Sequence, residues 1–395
     1  MKRLQHFLLL VVLLLNNSNS FAQRSNCTQA LQQISTDSLM QHLQELVGKK
    51  IVYVNDSHQY ISSRYAFHKD NGLAASYLAQ KCASYGFSIR KMNYSGTGMN
   101  ILAEKTGTQF PNKSIMLCAH YDCVGGTFTK FQGADDNASG CAAIIEAARV
   151  LKNINFPYTI QLAFWDEEEI GLLGSKAHPL AGGGLPEIIT AINLDMIAWD
   201  DNKDNLAMLH ASSALPISID FANRLQYLIG KYKLPLISTM KIPGEPNTDH
   251  QALWDKGIPA IGLTEDYDND FSPNWHRYSD SIDNIHIPYF VAMSKLAVMG
   301  LCEFAQEGGT GLNVTNSGSS LVRIYPNPIT KQICFSELNQ VKTIEINNSL
   351  GQLISTTEVN TLTNLCMPAP DLVGFYVVSI FGSNQEMVRI KIIVE

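Results

Sequence analysis

Four short apolar runs, each ended by polar or glycine residues, restrict the fold of this chain more than any other feature. They are residues 114–119, 159–165, 189–194 and 259–264. Runs of this length and composition are typical of central strands that are covered on both faces. Further strand-like runs lie at 87–94 and 99–105, and helix-like segments lie at 37–49, 73–85, 139–153, 218–232 and 288–306. The alternation of the two kinds of segment predicts a layered α/β fold.

Residues 1–22 have the pattern of a secretory signal peptide. Basic residues open the chain, Phe7 to Leu15 is unbroken apolar sequence, and Ser20 and Ala22 occupy the small-residue positions of a cleavage site. The apolar stretch is far shorter than the ~20 residues that a membrane-spanning helix needs, and we expect no later segment to span a membrane. We therefore predict a soluble, exported protein whose mature chain begins near Gln23.

The composition changes at Glu307, where the sequence becomes rich in Gly, Ser, Thr and Asn. Such a stretch has little to bury, so residues 307–320 are predicted to be a linker. Residues 321–395 then alternate between strand-like runs and turn residues. This pattern predicts a small all-β C-terminal domain with sandwich architecture.

The charge of the chain argues against two classes of partner. The net charge is -7 and the sequence contains no long basic run. Nucleic acids and anionic membranes are bound by clustered Lys and Arg, so we expect neither as the main partner. The function should depend on a local site.

The eight cysteines allow too many pairings for the disulfides to be derived from the sequence. No CxxC pair occurs, which argues against a zinc site made of cysteines. Cys118 and Cys141 lie in a strand-like and a helix-like run, where we expect them to pack as small buried hydrophobic residues. The bridge that we favour joins Cys334 to Cys366, because both lie in the C-terminal domain.

Carboxylates and histidines follow the apolar runs of the first domain. They are His120 and Asp122, Glu167 to Glu169, Asp195, Asp135 and Asp136 in the loop before segment 139–153, and His276. In open α/β sheets ligands bind outside the carboxyl ends of the strands, so side chains at these positions converge. Two imidazoles with several carboxylates and no thiolate suit zinc in a hydrolytic site.

The spacing within two of these groups indicates separate roles. On an extended segment His120 and Asp122 point to the same side, and a carboxylate behind a ligating imidazole fixes its tautomer. We therefore expect Asp122 to support His120 from outside the metal coordination. Neighbours in the triplet Glu167 to Glu169 can face different directions where a strand ends, so one can bind metal while the next acts as a general base.

Five strings within residues 36–306 resemble one known family. They are HYD at 120–122, GADDNASG at 133–140, WDEEEIGLLGS at 165–175, NLDM at 193–196 and WHRYSDSIDNI at 275–285. In this order they resemble the secreted co-catalytic di-zinc aminopeptidases of the bacterial leucyl aminopeptidase type. The resemblance implies a zinc exopeptidase-like domain over residues 23–306, with a central mixed β-sheet flanked by helices. It also implies that the protein removes N-terminal residues from peptides.

Carried over residue by residue, the resemblance implies two zinc ions per chain. The implied ligands, with Asp136 bridging both ions, are His120 and Asp195 on one side and Glu169 and His276 on the other. Glu168 would be the general base that activates a water bridging the two metals. One departure from the family is Trp275, since many members carry Tyr before the last histidine. An indole donates a hydrogen bond but cannot accept one, so a phenol-like role near the reacting carbonyl is in doubt.

Asp249 and His250 occupy a place where the family has a similar pair near the pocket. In that interpretation Asp249 supports the site without binding metal. The alternative is that Thr248 or Asp249 caps a helix at 250–255.

Other polar residues are expected to have ordinary roles. We predict surface or core positions for His42, His58, His68, His178, His210 and His286. We predict a solvated loop for Glu265, Asp266, Asp268 and Asp270, with a calcium ion or the ammonium group of a substrate as the alternative.

The C-terminal domain resembles the sorting domain of the type IX secretion system. The motifs are YPNP at 325–328, SLGQLI at 349–354, GFYVV at 374–378 and a last strand that ends in KIIVE. The resemblance implies that the secretion machinery is a partner and that the host is a Gram-negative bacterium. Export across both membranes would then be followed by removal of the tail and by release or attachment at the cell surface.

Two other functions stay open at this point. Glutaminyl cyclases resemble the same fold and also carry Trp before the last histidine, as Trp275 does here. They typically use one zinc ion and are acyltransferases. The third hypothesis is a non-catalytic surface protein, and the intact set of ligands argues against it.

Overall fold

The computed structural model describes residues 26–125, 131–179, 184–307, 323–325, 329, 331–336, 338, 341–348, 352–359, 364–382 and 387–394. The chain forms two compact units, Met1–Gly309 and Thr310–Glu395. The predicted signal peptide and residues 308–320 of the predicted linker lie outside the described residues. The limits of the leader, linker and domains stay predictions.

The first unit alternates helices and strands, as the sequence predicts. Its helices are α1 at residues 26–33, α2 (Thr36–Leu46), α3 (Asn71–Ser84), α4 (Gly140–Leu151), α5 (Leu173–Ala177), α6 (Pro216–Tyr232), α7 (Asp249–Trp254) and α8 (Ile287–Glu307). Its strands are β1 (Val52–Val54), β2 (Ser57–Gln59), β3 (Ser88–Asn93), β4 (Met99–Lys105), β5 (Phe110–His120), β6 (Tyr158–Trp165), β7 (Glu187–Leu194), β8 (Leu206–His210), β9 (Ile237–Lys241) and β10 (Ala260–Thr264).

Eight of these strands form one sheet in the order β3-β4-β6-β5-β7-β10-β8-β9. The four central strands β6, β5, β7 and β10 are parallel to their neighbours within this group. Strand β3 pairs antiparallel with β4, β4 with β6, and β8 with β10. The sheet is therefore mixed, as expected. The four parallel strands are the four apolar runs of the sequence. Their carboxyl ends therefore lie at one edge of the sheet.

The sequence does not predict β8 and β9. Strand β9 lies at the edge of the sheet, and all its residues are exposed or partly exposed. It therefore lacks the continuous apolar run by which central strands are recognised. Strand β8 has only five residues and pairs between β9 and β10.

Helix α8 packs in the interior of the first unit. Its side chains Phe290, Leu296 and Phe304 are at most 1% exposed. By length and composition the segment Ile287–Gln306 could cross a membrane, so the expectation that no later segment is long and apolar enough is wrong. However, 78% of its apolar window is buried inside the unit, as expected of a core helix.

A disulfide joins the two ends of the first unit. Cys27 of α1 is bonded to Cys302 of α8, at a sequence separation of 275 residues. No local pattern identifies a pair so far apart. Cys118 and Cys141 are buried free thiols, which confirms the prediction that they pack as small hydrophobic residues.

The second unit is all-β, as the sequence predicts. Its strands are β11 (Arg323–Tyr325), β12 (Gln332–Ser336), β13 (Val341–Asn348), β14 (Leu353–Glu358), β15 (Asn364–Pro368), β16 (Gly374–Gly382) and β17 (Met387–Val394). They form two antiparallel sheets in the orders β11-β12-β15 and β14-β13-β16-β17. Apolar side chains from both sheets, among them Phe335, Ile344 and Val378, form one core, so the unit is a sandwich. The favoured bridge is confirmed, since Cys334 and Cys366 are paired across β12 and β15 and bonded.

Removal of the bridge with the double variant Cys27→Ser/Cys302→Ser should destabilise the first unit. A disulfide that closes a long loop restricts the unfolded chain, so we expect the free energy of unfolding to fall by about 2–4 kcal/mol. All four tryptophans, Trp165, Trp199, Trp254 and Trp275, lie in this unit. Urea unfolding followed by tryptophan fluorescence therefore measures its stability. The variant Cys334→Ser/Cys366→Ser is the control and should leave this transition in place. An unchanged midpoint for the first variant would contradict the prediction.

Candidate metal centre

The parallel strands bring the predicted residues to one edge of the sheet. His120 is the last residue of β5, Asp195 follows β7 directly, and Glu168 and Glu169 lie just beyond β6. Strands β5 and β6 pair in parallel register up to His120 and Trp165. Both strands therefore end at the same level of the sheet. This places the imidazole of His120 beside Glu168 and Glu169.

Asp136 lies in an irregular turn, residues 134–139, that leads into α4. The turn follows Gly133, whose φ is 52°, and a Cβ at this position would lie 2.5 Å from the carbonyl oxygen of Asp136. The side chain of Asn137 donates a hydrogen bond to the carbonyl oxygen of Leu194 at 2.8 Å. The turn is thereby attached to the end of β7.

The two carboxylate oxygens of Asp136 face different histidines. His120 Nε2 lies 3.2 Å from Asp136 Oδ1 and 3.4 Å from Asp195 Oδ1. His276 Nε2 lies 3.4 Å from Asp136 Oδ2 and 2.9 Å from Glu169 Oε2. Donor atoms at about 2.0 Å from a tetrahedral zinc ion lie about 3.3 Å from one another. The structure thus brings together two groups of donor atoms that share Asp136, and their spacing fits zinc.

Glu168 lies beside one of these groups. One of its carboxylate oxygens is within 4.8 Å of donor atoms from His120 and Asp195. The preceding carboxylate points elsewhere, because Glu167 accepts a hydrogen bond from Thr97 Oγ1 at 2.8 Å. Neighbouring glutamates of the triplet therefore face different directions, as the sequence predicts.

Asp122 connects the histidine to the glutamates. Its Oδ1 lies 3.5 Å from Nδ1 of His120. Its carboxylate also accepts the backbone N–H of Glu168 at 3.0 Å and that of Glu169 at 3.2 Å. Asp122 is itself fully buried. Nδ1 of His120 also lies 3.2 Å from the main-chain carbonyl oxygen of Asp122, so this residue orients both the imidazole and the turn that carries the two glutamates.

Buried negative charge dominates the centre. Burial raises the pKa of Glu169 to about 8 and that of Asp249 to about 7, and it also raises the pKa of Asp195. Asp136 differs, because hydrogen bonds to both histidines outweigh its burial and hold its pKa below the usual range. Glu169 Oε1 is buried without a hydrogen-bond partner among the described residues. Carboxyl groups that resist ionisation and an unpartnered oxygen fit a site that holds cations.

Comparison with known protein families agrees with this chemistry. Residues 100–300 match Peptidase family M28, and residues 323–395 match the Secretion system C-terminal sorting domain. The chain belongs to peptidase family M28. The first unit is called the M28 domain from here on.

Individual proteins that are similar to this chain include both peptidases and a cyclase. Leucine aminopeptidase 2 of Trichophyton rubrum is 25% identical over 233 residues, which cover 53% of this chain and 45% of the relative. The alignment thus spans less than half of that relative's length. The LapA aminopeptidase of Legionella pneumophila matches in structure with a TM-score of 0.59 and 23% identity, over 72% of this chain and 74% of that one. Glutaminyl cyclase of Bacteroides thetaiotaomicron matches with a TM-score of 0.55 and 20% identity, over 68% and 98%. The shared fold alone does not separate the two activities.

Aromatic side chains lie on the exposed side of the centre. Trp275 stacks on His276 with ring centroids 3.8 Å apart, and it is 44% exposed. Phe271 contacts Trp275 edge to face at 5.4 Å, and Tyr267 contacts Phe271 at 5.3 Å. The side chain of His276 is 35% exposed. The candidate metal centre of the M28 domain therefore opens to solvent on this side.

Asp249 is fully buried inside the M28 domain. Burial raises the pKa of Asp249 to about 7, and His120 is close enough to act on this pKa in the opposite direction, so Asp249 lies near the centre. Thr248 occupies the N-cap position of α7, but its side chain makes no capping hydrogen bond. The alternative in which Thr248 caps the helix is therefore confirmed in position but without a capping bond from the side chain, and Asp249 is the first residue of α7.

The remaining histidines form contacts typical of core and surface residues, as predicted. His42, His178 and His210 are at most 3% exposed. His58, His68 and His286 are exposed or partly exposed. Burial lowers the pKa of His178 and that of His250 to about 4. For His276, hydrogen bonds to carboxylates outweigh burial and raise the pKa to about 10. The direction of the pKa shift thus distinguishes His276, which has acidic surroundings, from the buried histidines of the core.

The expectation of a solvated loop at residues 265–270 is wrong for its first two members. Glu265 is 0% exposed and Asp266 is 4% exposed. Each carboxylate accepts backbone N–H groups of the loop itself, Glu265 from Ser272 and Asp266 from Asp268. The loop folds back on its own acidic residues, which a pattern of charges along the sequence does not reveal.

The variant Gly125→Ala should weaken metal binding by the M28 domain. Gly125 has a φ of 126°, and a Cβ there would lie 2.6 Å from the carbonyl group of His276 and 2.8 Å from the ring of Phe131. The added methyl group would displace the backbone of His276, so we expect the zinc affinity to fall roughly 10-fold or more. Zinc retained during dialysis against a graded chelator series measures the change.

The matched control is Gly72→Ala in α3, where a Cβ would meet nothing within 4 Å. Alanine is favoured over glycine in helices, so this variant should keep its zinc and its stability. Equal zinc affinity in the two glycine variants would contradict the prediction for Gly125.

Acid should destabilise the M28 domain through His250. The ring is 0% exposed and contacts Thr248 Oγ1 and the carbonyl oxygen of Glu245 at 2.9 Å. The folded pKa of about 4 lies below the ordinary 6.5, so the unfolded chain takes up a proton first as the pH falls. Between pH 7 and pH 4 the folded state should lose roughly 3 kcal/mol through this group.

The variant His250→Gln removes this titration. Its stability deficit relative to the parent protein at pH 7 should therefore shrink toward pH 4, as measured by urea unfolding at both pH values. His58→Gln, at an exposed strand position, is the control. A deficit that does not depend on pH would show that His250 is not responsible.

Proposed function

We propose that the protein is a zinc-dependent aminopeptidase that hydrolyses the N-terminal peptide bond of peptide substrates. The observation that carries the proposal is the position of Asp136, whose two oxygens face His120 at 3.2 Å and His276 at 3.4 Å. A carboxylate held between two imidazoles suits a two-metal hydrolytic site. Membership of family M28 supports a peptidase, and the similarity to aminopeptidases supports an exopeptidase.

Two zinc ions would share Asp136 in this proposal. The remaining ligands are assigned as His120 and Asp195 for one ion and Glu169 and His276 for the other. Asp122 would fix the ring of His120 and the glutamate turn together, through the contacts described above. Asp249 would support the centre from the interior without binding metal.

Zinc in this position would polarise the scissile carbonyl and lower the pKa of the attacking water. The proton transfers are assigned to the chain itself. Glu168 lies within 4.8 Å of the donor atoms of His120 and Asp195, close enough to accept the proton of the water during attack. The same carboxyl group would then return the proton to the leaving amine.

One feature of the surroundings suits the N-terminal residue of a peptide. The exposed rings of Phe271 and Trp275 offer an apolar surface beside His276 for the side chain of that residue.

A glutaminyl cyclase is the second candidate. It is favoured by one observation, the tryptophan that precedes and stacks on His276. The aminopeptidase is preferred because both histidines face Asp136, whereas cyclases typically use a single zinc ion.

We further propose that the type IX secretion machinery exports the protein. A signal peptide at residues 1–22 would direct the chain across the inner membrane of a Gram-negative bacterium, and the C-terminal unit would then direct it across the outer membrane. The mature protein would be released or attached at the cell surface. The bridge between Cys27 and Cys302 agrees with an oxidising location.

The test of the activity uses the purified mature protein with a panel of aminoacyl anilides, with and without a chelator. Peptides with N-terminal glutamine are assayed in parallel for loss of ammonia. Chelator-sensitive release of the aniline is the expected result, and it also gives the preferred N-terminal residue. Ammonia loss without anilide hydrolysis would overturn the proposal in favour of the cyclase.

The variant Glu168→Gln should lose turnover and keep its metal. Loss of a general base lowers kcat by about 10²–10⁴-fold, whereas the ligands of the proposed zinc ions are unchanged. Anilide hydrolysis and zinc content per chain measure the two properties.

The neighbouring variant Glu167→Gln is the matched control, because Glu167 is hydrogen-bonded to Thr97 and not to the centre. It should keep kcat within a few-fold of the parent. Activity that survives in Glu168→Gln would rule out Glu168 as the base.

A further inference from the structure

Arg64 is a fully buried cation that has no role in the assignments so far. Its guanidinium donates four hydrogen bonds, and every acceptor is a main-chain carbonyl oxygen. The acceptors are Tyr121 at 2.8 Å from Nε, Leu46 at 3.0 Å and Gln132 at 2.7 Å from Nη1, and Gly133 at 2.7 Å from Nη2. Among the described residues, no carboxylate forms an ion pair or a hydrogen bond with Arg64. Burial of an arginine without such a partner is costly, which makes its position informative.

Two of these acceptors adjoin proposed metal ligands. Tyr121 follows His120 directly, and Gly133 begins the turn that carries Asp136. His120 and Asp136 come from separate segments, yet their donor atoms lie 3.2 Å apart. The planar guanidinium contacts the backbone of both segments, so it fixes the distance between them.

The packing around this contact allows little adjustment. A Cβ on Gly133 would lie 2.9 Å from Arg64 Nη2 and 2.7 Å from the Cβ of Cys123. The carbonyl oxygen of Leu46, at the end of α2, accepts a hydrogen bond from the same Nη1 that donates to Gln132. The guanidinium of Arg64 therefore has one position relative to the turn.

A buried carboxylate holds the same turn from its other side. Asp280 is 2% exposed, and its two oxygens accept the backbone N–H of Asp135 at 2.8 Å and that of Asp136 at 3.1 Å. The carbonyl groups that lead into the turn thus face the guanidinium of Arg64, and two N–H groups of the turn face the carboxyl group of Asp280. Asp280 lies four residues after His276, so the second histidine is attached to the same turn.

We propose that Arg64 is a positioning residue of the metal centre, which holds His120 and Asp136 at the separation that lets both bind one zinc ion. It acts through the backbone and touches neither substrate nor metal. Asp280 is its counterpart on the N–H side of the turn. The inference rests on the proposed zinc centre.

The test compares Arg64→Lys with the parent full-length protein in its metal-free and zinc-loaded forms. Lysine keeps the charge but lacks the planar fork, so it cannot hold both segments at one distance. Zinc affinity, measured by competition with a chromophoric chelator, should fall roughly 10–100-fold. The visible spectrum of the cobalt-loaded protein should change, and kcat should fall more than KM rises. Urea unfolding of the metal-free protein shows whether the variant is folded under the conditions of the zinc assay, since lysine leaves some of these buried carbonyl groups without a donor.

Arg149→Lys is the matched control. Arg149 also donates to a main-chain carbonyl, that of Gln33, and it pairs with Glu146 at 2.6 Å, but its contacts join α1 and α4 rather than the ligand segments. This variant should keep the parent zinc affinity and the parent cobalt spectrum. A second variant of the turn, Asp280→Asn, should lose zinc affinity as Arg64→Lys does, because an amide cannot accept both N–H groups through equivalent oxygens.

Parent zinc affinity in Arg64→Lys would overturn the proposal for Arg64, and parent zinc affinity in Asp280→Asn would overturn the matching role of Asp280. If the Arg64→Lys variant does not fold without metal, Arg64 is required for the fold itself. This result would also overturn the proposal. A parent protein that binds no zinc would instead refute the proposed function, so the two failures are distinguishable.

Discussion

Repulsion among buried carboxylates is the constraint on which the M28 domain depends. Asp136, Glu169 and Asp195 converge at the carboxyl edge of the sheet, where burial raises the pKa of Glu169 to about 8. Ionised carboxylates that lie close together and are shielded from water repel one another. Only protonation or bound cations relieve this repulsion. The two histidines complete a set of donors suited to zinc. The rest of the fold must therefore hold these acidic groups in place against their repulsion.

The fold does so mainly through the backbone of the loops. Asp122 accepts the N–H groups of both glutamates, and Asp280 accepts those of the turn before α4. Arg64 donates hydrogen bonds to the carbonyl oxygens of Gln132 and Gly133, which precede that turn. Each of these three side chains is hydrogen-bonded to main-chain groups. The positions of the proposed metal ligands thus depend on residues outside the proposed coordination.

The sequence predicts the central strands well because apolar runs with polar ends are local signals. The rule that ligands bind at the carboxyl ends of parallel strands then predicts that His120, Glu169 and Asp195 converge. What the sequence does not predict depends on contacts between distant segments or on tertiary burial. The bridge between Cys27 and Cys302 is of the first kind, and the burial of Glu265 is of the second. The edge strand β9 is missed for a third reason, since half-exposed strands lack an apolar run.

The bridge between α1 and α8 makes the M28 domain a covalently closed ring over nearly its whole length. In a closed ring neither terminal helix can detach alone, because Cys302 holds the last helix five residues before its end at Glu307. A protease that cuts the chain between residues 308 and 320 would therefore create a new terminus without loosening the helix beside it. Disulfides form outside the reducing cytoplasm, so this resistance to fraying arises only once the chain has been exported.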